Sequence, residues 1–229
     1  MAGGAKLEHL FATPIILDRL DLAELPDATL EAAILERRRG HPGIRRSNLG
    51  SWHSDLNLFD WGGEPARRLA ARIVALAEAE TVDRSREGAR PEWQVEGWAN
   101  VAEAGGSNAP HVHPGCFWSA VYYLRVDPGE GGELLLFDPR MPAITMQAPD
   151  LRFRHAGGEQ VARHAPFTGS LILFPSWVTH SVTAWQGAGL RISVAINLSA
   201  VTRPRDGLVD ASRLSDYQQP QIPPENKES

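Results

Sequence analysis

The stretch that decides the reading runs from His111 to Leu124, HVHPGCFWSAVYYL. It opens on two histidines one residue apart and continues as FWSAVYYL, an aromatic and β-branched run of the kind that forms strands. On a strand, residues two apart point to the same face. His111 and His113 would then project together, as two ligands of one metal must. Neutral imidazole is a common protein ligand for Fe, Zn, Cu and Ni. The same HxH spacing also fits two polar residues on the exposed face of an edge strand, so the surrounding sequence has to choose.

Further strand-like segments lie on both sides. WQVEGWANVAE (93–103), APHVH (109–113), FWSAVYYLRV (117–126), GELLLFD (132–138), SLILFPSW (170–177), THSVTAW (179–185) and LRISVAINLSAV (190–201) are apolar, and Gly, Pro, Asn and Asp punctuate them. Many such strands with no helix between them imply an antiparallel sandwich or barrel. The segment 141–167 reads as a long, less regular insertion. The first third is mixed. FATPIIL (11–17) reads as a short strand at a sheet edge, because Pro14 cannot donate to a ladder. DATLEAAILERRRG (27–40) reads as a helix with an Asp27 cap and a Gly40 stop. EPARRLAARIVALAEAE (64–80) is the clearest helix, with Leu69, Ile73 and Leu76 on one face. SNLGSWHSDLNLFDWGG (47–63) reads as a loop, and the chain after Arg203 as a polar, proline-bearing tail. The expected division is an N-terminal part over 1–92, a β core over 93–203 and a tail over 204–229.

Composition limits the partners. With 229 residues, 42% of them hydrophobic, the chain is long enough for one large domain with a real core. A net charge of -5 and no long Lys/Arg run argue against nucleic acid or an anionic membrane surface as a partner. The single cysteine, Cys116, permits no disulfide within the chain, and it has neither a second thiol nor an obvious base beside it. The N-terminal residues lack a signal-peptide pattern, and no apolar run would span a bilayer. A cytoplasmic protein is expected, with edge strands and apolar helix faces on which a homodimer could form.

Two more observations sharpen the histidine pair. GSLILFPSWVTHSVTAW supplies His180 at the end of an apolar strand, and LRISVAINLS places Arg191 and Ser193 two apart on the last one. An arginine among Leu190, Ile192, Val194 and Ile196 either sits on a solvated face or is buried at a cost that an anionic partner must offset.

Taken in order, HxHPG, YYL, GGELLLF, DPR, FPSW, a lone His and RIS resemble the 2-oxoglutarate/Fe(II)-dependent dioxygenases. The pattern is nearest to a bacterial and phage family of oxygenases, with HVHPG and AVYYL similar to the prolyl-hydroxylase arrangement. LFATPI and SNLGSWHSDL upstream resemble the start of that family. The resemblance implies a mainly β chain with flanking helices, built on a double-stranded β-helix (jelly-roll or cupin-like) core with an N-terminal helical cap. It implies Fe(II), 2-oxoglutarate as cosubstrate and O2, and a hydroxylase that converts the keto acid to succinate as it oxidises a small-molecule or peptide substrate. By the same resemblance His111 and His180 are metal ligands, and Arg191 binds the far carboxylate of 2-oxoglutarate with help from Ser193 and Tyr123.

The sequence departs from that pattern at one place. The position of the usual Asp or Glu ligand holds His113, so a third neutral imidazole would leave the metal its full double charge. Such a site can favour Zn, Ni or Cu as well as Fe. Three-His iron sites also occur in cupin-type dioxygenases that use no keto acid, which is the competing reading; a non-catalytic metal-binding barrel is the third. Asp138 or Glu103 are alternative carboxylate ligands from elsewhere in the chain. His53, Trp118, Asn100 and Arg140 are candidate substrate-facing residues, each with a plain structural role as its alternative. His155 and His164, in the insertion, are expected to face solvent.

Overall fold

The computed structural model describes residues 10–20, 27–84, 90–143, 150–151 and 160–201. The expected cap role of Asp27, the placement of His155 and the tail over 204–229 lie outside what is described. Among the described residues there are nine strands and three helices: β1 (Ile16–Arg19), α1 (Asp27–Gly40), β2 (Asn48–His53), α2 (Leu58–Trp61), α3 (Gly63–Ala79), β3 (Trp93–His111), β4 (Trp118–Val126), β5 (Leu134–Phe137), β6 (Val161–His164), β7 (Ser170–Pro175), β8 (His180–Val182) and β9 (Arg191–Ala200). No helix among them is long and apolar enough to cross a membrane.

The strands form one curled antiparallel array in the order β1-β7-β4-β9-β3-β8-β5-β6, with β2 added onto β3. The curl comes from β3, a 19-residue strand that serves both arms of this array. Its first half pairs with β9 from Trp93↔Ala200 to Ala102↔Arg191, and its second half pairs with β8 at Asn108↔Val182 and His111↔His180. Between the halves lies Gly105, at φ +90, a conformation glycine adopts without strain. The Gly105 amide donates to the Trp185 carbonyl at 2.7 Å, and the Trp185 amide donates to Gly106 at 2.9 Å, which ties the bend to the segment after β8. A second irregularity, a bulge, falls between Asn108 and His111. This is the curled half-barrel of a double-stranded β-helix. The two strands expected over 93–103 and 109–113 are one continuous strand, because glycine bends the ladder there without interrupting the chain's pairing.

Alternation along β9 explains the layering. Ile192, Val194, Ile196 and Leu198 are fully buried on one face, in a core with Leu30 and Ile34 of α1, Leu58 of α2 and Leu69, Ile73 and Ala77 of α3. The opposite face, with Arg191, Ser193, Ala195 and Asn197, lines the interior of the curl. Both faces of the strand are thus buried, and Arg191 is only 2% exposed. The solvated-face alternative for this arginine is ruled out. A smaller core of Tyr123, Leu134, Leu136, Ile172, Phe174 and Val178 joins the two arms inside.

The helices cover the back of the larger sheet, and it is β2 that reaches the mouth of the interior. The expected loop over 47–63 is therefore wrong: it contains β2 and the short α2. Gly50, with its register shift between Leu49 and Ser51, breaks the two-residue alternation that would have marked the strand. The N-terminal strand also starts later than expected, after Pro14, and pairs only with β7, so it does lie at the sheet edge. Among its described residues, the expected insertion over 141–167 contains one regular strand, β6, paired with β5.

Candidate metal and cosubstrate site

His111 ends β3, and its cross-strand partner is His180, the first residue of β8. That pairing alone brings two imidazoles together from positions 69 residues apart. His113 lies two residues past the strand end, where its amide donates to the Ser176 carbonyl at 3.1 Å. The three side chains converge, each offering one nitrogen, with those atoms all within 4.8 Å of one another. Ring centroids are 4.2 Å apart for His111 and His180 and 5.0 Å for each of the other two pairs.

The donor set suits a metal. The Nδ1–H of His111 donates to the Ala109 carbonyl at 2.7 Å, and that of His180 to the Val178 carbonyl at 2.9 Å. Each bond selects the tautomer whose Nε2 carries the lone pair, the usual arrangement behind a metal-binding histidine; at His111 that nitrogen accepts from the Ser47 hydroxyl at 3.3 Å. Burial pushes all three imidazoles down from their ordinary value: His111 is lowered, His113 falls to about 4 and His180 to about 3, with the neighbouring histidines adding to the shift in the last two. The site is therefore neutral and ready to bind a cation without first losing protons. No carboxylate belongs to the cluster among the described residues. Asp138 is engaged by Arg140 at 2.6 Å and Glu103 by Arg38 at 2.6 Å, so neither of these acids completes a triad.

A cavity of about 440 Å³ opens beside the histidines. At one end, three neighbouring strands contribute a cross-strand row of Asn100, Ser193 and Tyr123, with Arg191 next along β9. This end is short of partners. Arg191 Nε, the Tyr123 hydroxyl and Asn100 Oδ1 are buried without a hydrogen bond. Arg191 makes no ion pair among the described residues, and its guanidinium carbon sits 5.9 Å from the centre of the Tyr123 ring. Burial pushes the guanidinium down and the phenol up from their ordinary values. Orphaned buried polar groups are costly. Arg191, Ser193 and Asn100 line the cavity, and a donor-bearing end of this kind suits a ligand carboxylate. Gly132, at φ +67, makes room for the arginine: a Cβ there would stand 2.8 Å from Arg191 Cδ.

His53 lies at the mouth, stacked on Trp98 with ring centroids 5.4 Å apart and planes 9° apart. Its Nδ1–H donates to the Ser54 carbonyl at 2.6 Å, and burial lowers its pKa. Trp98 in turn lies 5.7 Å from His113 and lines the cavity. Sequence reasoning missed Trp98, although it shares a face with Asn100 by simple alternation. Three expected residues do not line the cavity: Trp118, Arg140 and Tyr123, the last of which is fully buried beside Arg191. Trp118 is 2% exposed and faces the helix layer, its indole N–H donating to Thr81 at 2.8 Å; the cavity face of β4 carries Ser119 and Val121 instead. Arg140 is exposed and bound to Asp138 through its own turn, away from the cavity. Cys116 and Asn197 line the cavity as well.

The fold and the convergent imidazoles define a double-stranded β-helix protein with a metal-type site at the mouth of its curl. Residues 96–197, which hold all three histidines and Arg191, match the family described as "Putative 2OG-Fe(II) oxygenase". Over these residues the chain is similar to the 2-oxoglutarate/Fe(II)-dependent oxygenases, a class of oxidoreductases. No curated protein matches. Among solved structures, it resembles a prolyl-4-hydroxylase from Pseudomonas putida at 18% identity, covering 83% of this chain and 94% of that one with a TM-score of 0.54. It resembles HygX from Streptomyces hygroscopicus, solved with nickel and 2-oxoglutarate, at 12% identity, with 84% and 85% covered and a TM-score of 0.53. It also resembles the α-ketoglutarate-dependent carbocyclase SnoK from nogalamycin biosynthesis at 16% identity, with 88% and 87% covered and a TM-score of 0.57. At these identities the likeness concerns the fold.

Proposed function

We propose that the protein is an Fe(II)- and 2-oxoglutarate-dependent hydroxylase whose metal is held by His111, His113 and His180, with Arg191, Ser193 and Tyr123 binding the cosubstrate. The observation that carries this reading is the pairing of two deficits in one cavity. Three neutral imidazoles converge with one nitrogen each able to hold a cation, and the Nε of a buried arginine and a buried phenol hydroxyl make no hydrogen bond. A metal answers the first and a dicarboxylate the second. The HygX structure, solved with nickel and 2-oxoglutarate, supports the same pairing on this fold.

The chemistry that Fe(II) supplies when bound is the activation of O2, with oxidative decarboxylation of the keto acid and hydroxylation of a second molecule. This chain's residues bind and orient. Arg191 presents a planar fork suited to a carboxylate, and its burial strengthens that contact. Tyr123 adds its phenol O–H, and Ser193 a hydroxyl from the same cross-strand row. The backbone carbonyls of Ala109 and Val178 hold two imidazoles in their binding tautomer. Trp98 and Phe174 wall the site and keep bulk water from it. With no carboxylate ligand, a divalent ion keeps its full charge, which favours a dianionic cosubstrate. His53 and Asn100 face the space in which a small-molecule or peptide substrate would lie.

Anaerobic addition of Fe(II) and then 2-oxoglutarate to the metal-free protein tests the reading. A visible iron-to-keto-acid charge-transfer band, weakened in His113→Ala and Arg191→Ala, is expected. Iron binding without any band would remove the keto acid and favour the three-His cupin-type reading. A chain that binds no iron would defeat both.

A further inference from the structure

The cavity has a second polar end that the roles above leave unused. Six residues along β9 from Arg191, roughly 20 Å at the usual rise of a strand, Asn197 stands between Glu96 on β3 and Ser119 on β4 in cross-strand register. All three line the cavity. A chain of hydrogen bonds joins them. The hydroxyls of Ser176 and Ser119 are 2.8 Å apart, Ser119 donates to Asn197 Oδ1 at 2.8 Å, and Asn197 Nδ2 donates to Glu96 Oε1 at 3.0 Å. The Ser176 carbonyl receives the amide of His113, so the chain starts against a proposed metal ligand.

The order of the bonds matters. Ser119 occupies the amide oxygen of Asn197, which forces the NH2 group toward Glu96. Asn197 and Ser119 are each 2% exposed, so this orientation is fixed by buried partners. Among the described residues, Glu96 is the one carboxylate that lines the cavity, and it makes no ion pair. One of its oxygens is taken by Asn197, leaving the other with no protein donor assigned to it. Arg46 and Arg191 line the same cavity, but neither is within ion-pair distance of Glu96, and an ammonium or guanidinium in contact with this half-buried carboxylate would complete it.

We infer that Glu96 binds a cationic group of the substrate, an amine or guanidine, and that the carbon to be oxidised lies between this anchor and the three histidines. The inference rests on the proposed function only in naming the bound molecule a substrate. The two ends of the cavity then carry opposite charge: Arg191 selects the dicarboxylate and Glu96 repels it. Each ligand is steered to its own end. Ser119 and Ser176 are positioning residues that aim the Asn197 amide.

The test uses the metal-free full chain and small probes: n-butylamine and agmatine as cations, 1-butanol as a neutral control and butyrate as an anion. Binding is followed by ligand-observed NMR, with 2-oxoglutarate titrated in parallel into the iron-loaded protein without oxygen. The wild type is expected to bind the cations at least tenfold more tightly than 1-butanol, and Glu96→Gln, an isosteric change that can still accept from Asn197, to abolish that preference. Ser119→Ala, which frees the amide to rotate, is expected to narrow it. Melting curves establish that both variants fold. Equal affinity for cation and alcohol in the wild type, or a preference kept by Glu96→Gln, overturns the inference. Failure of 2-oxoglutarate to bind the wild type while the amine preference holds would defeat the proposed function and leave the cation site in place.

Discussion

Arg191→Met separates stability from function with opposite signs. The wild-type guanidinium is 2% exposed, has no ion-pair partner among the described residues and leaves its Nε unsatisfied. Replacing buried charge by an apolar side chain of similar length typically stabilises by about 1–4 kcal/mol. A gain of about 2 kcal/mol would raise the melting temperature of the ligand-free protein by roughly 4–8 °C for a chain of this size. The cosubstrate should respond in the other direction. Losing one partner of a desolvated charge pair costs about 2–5 kcal/mol; at about 3 kcal/mol the affinity for 2-oxoglutarate falls roughly 150-fold. A concentration near 100 times the wild-type Kd stabilises the wild type by about 2.7 kcal/mol. The same concentration would stabilise the variant by only about 0.3 kcal/mol. Calorimetric melting of the iron-loaded protein under argon, with and without 2-oxoglutarate, measures both quantities. A variant that melts lower than the wild type, or that keeps the full ligand-induced shift, would refute the argument that Arg191 is held unpaired for the cosubstrate.

Three further outcomes follow from the same geometry. Burial holds His113 near 4 and His180 near 3, below the 6.5 of an unfolded histidine, so the folded state binds fewer protons in that window and the metal-free protein loses stability as pH falls below about 6.5. His180 alone contributes about 2 kcal/mol of that loss by about pH 5, and urea titrations at neutral and acid pH should show it, with a flatter profile in His180→Gln. Gly132→Ala introduces a Cβ 2.8 Å from Arg191 Cδ at a φ of +67, and is expected to weaken 2-oxoglutarate binding by about tenfold and to cost about 1 kcal/mol, both readable by titration and melting. Trp118→Ala should cost about 3–5 kcal/mol in denaturant unfolding while cosubstrate affinity in the folded protein changes little. The reverse outcome would place that indole back on the cavity face.

Much of the fold was legible because its signals were local. Strand alternation, the amphipathic spacing of Leu69, Ile73 and Leu76, and Pro14 at an edge each carry their meaning within a few residues. The histidines were legible for a related reason: HxH spacing marks a shared direction, and a lone histidine beside a distant strand can meet it across a ladder, although His180 opens β8 and does not close the strand before it. What escaped depends on phase and long-range register. Trp118, which follows the HVHPG turn, was open to either the cavity or the core, and the alternation of β4 puts it in the core, with its neighbour Ser119 on the cavity face. Gly50 hid β2 by shifting its register. Trp98 and Glu96 share a face with Asn100, yet nothing in the local sequence says that this face turns inward. The chain from Ser176 through Ser119 and Asn197 to Glu96 joins four separate segments, and only the assembled sheet reveals it.

The bulge between Asn108 and His111 has a consequence of its own. These residues are an odd number of positions apart, so a regular ladder would send them to opposite sides, yet both line the cavity. The extra residue acts as a phase shifter, rotating the downstream half of β3 by one step relative to the upstream half. The ligand-bearing end can therefore be re-indexed independently of the end that holds Glu96 and Asn100. A one-residue deletion within the bulge would put the two residues an even number of positions apart, so a regular ladder would keep His111 facing the site, and the upstream pairing with β9 would be untouched. The strand is built as two modules on one backbone, and the bulge is the joint at which their orientations are set.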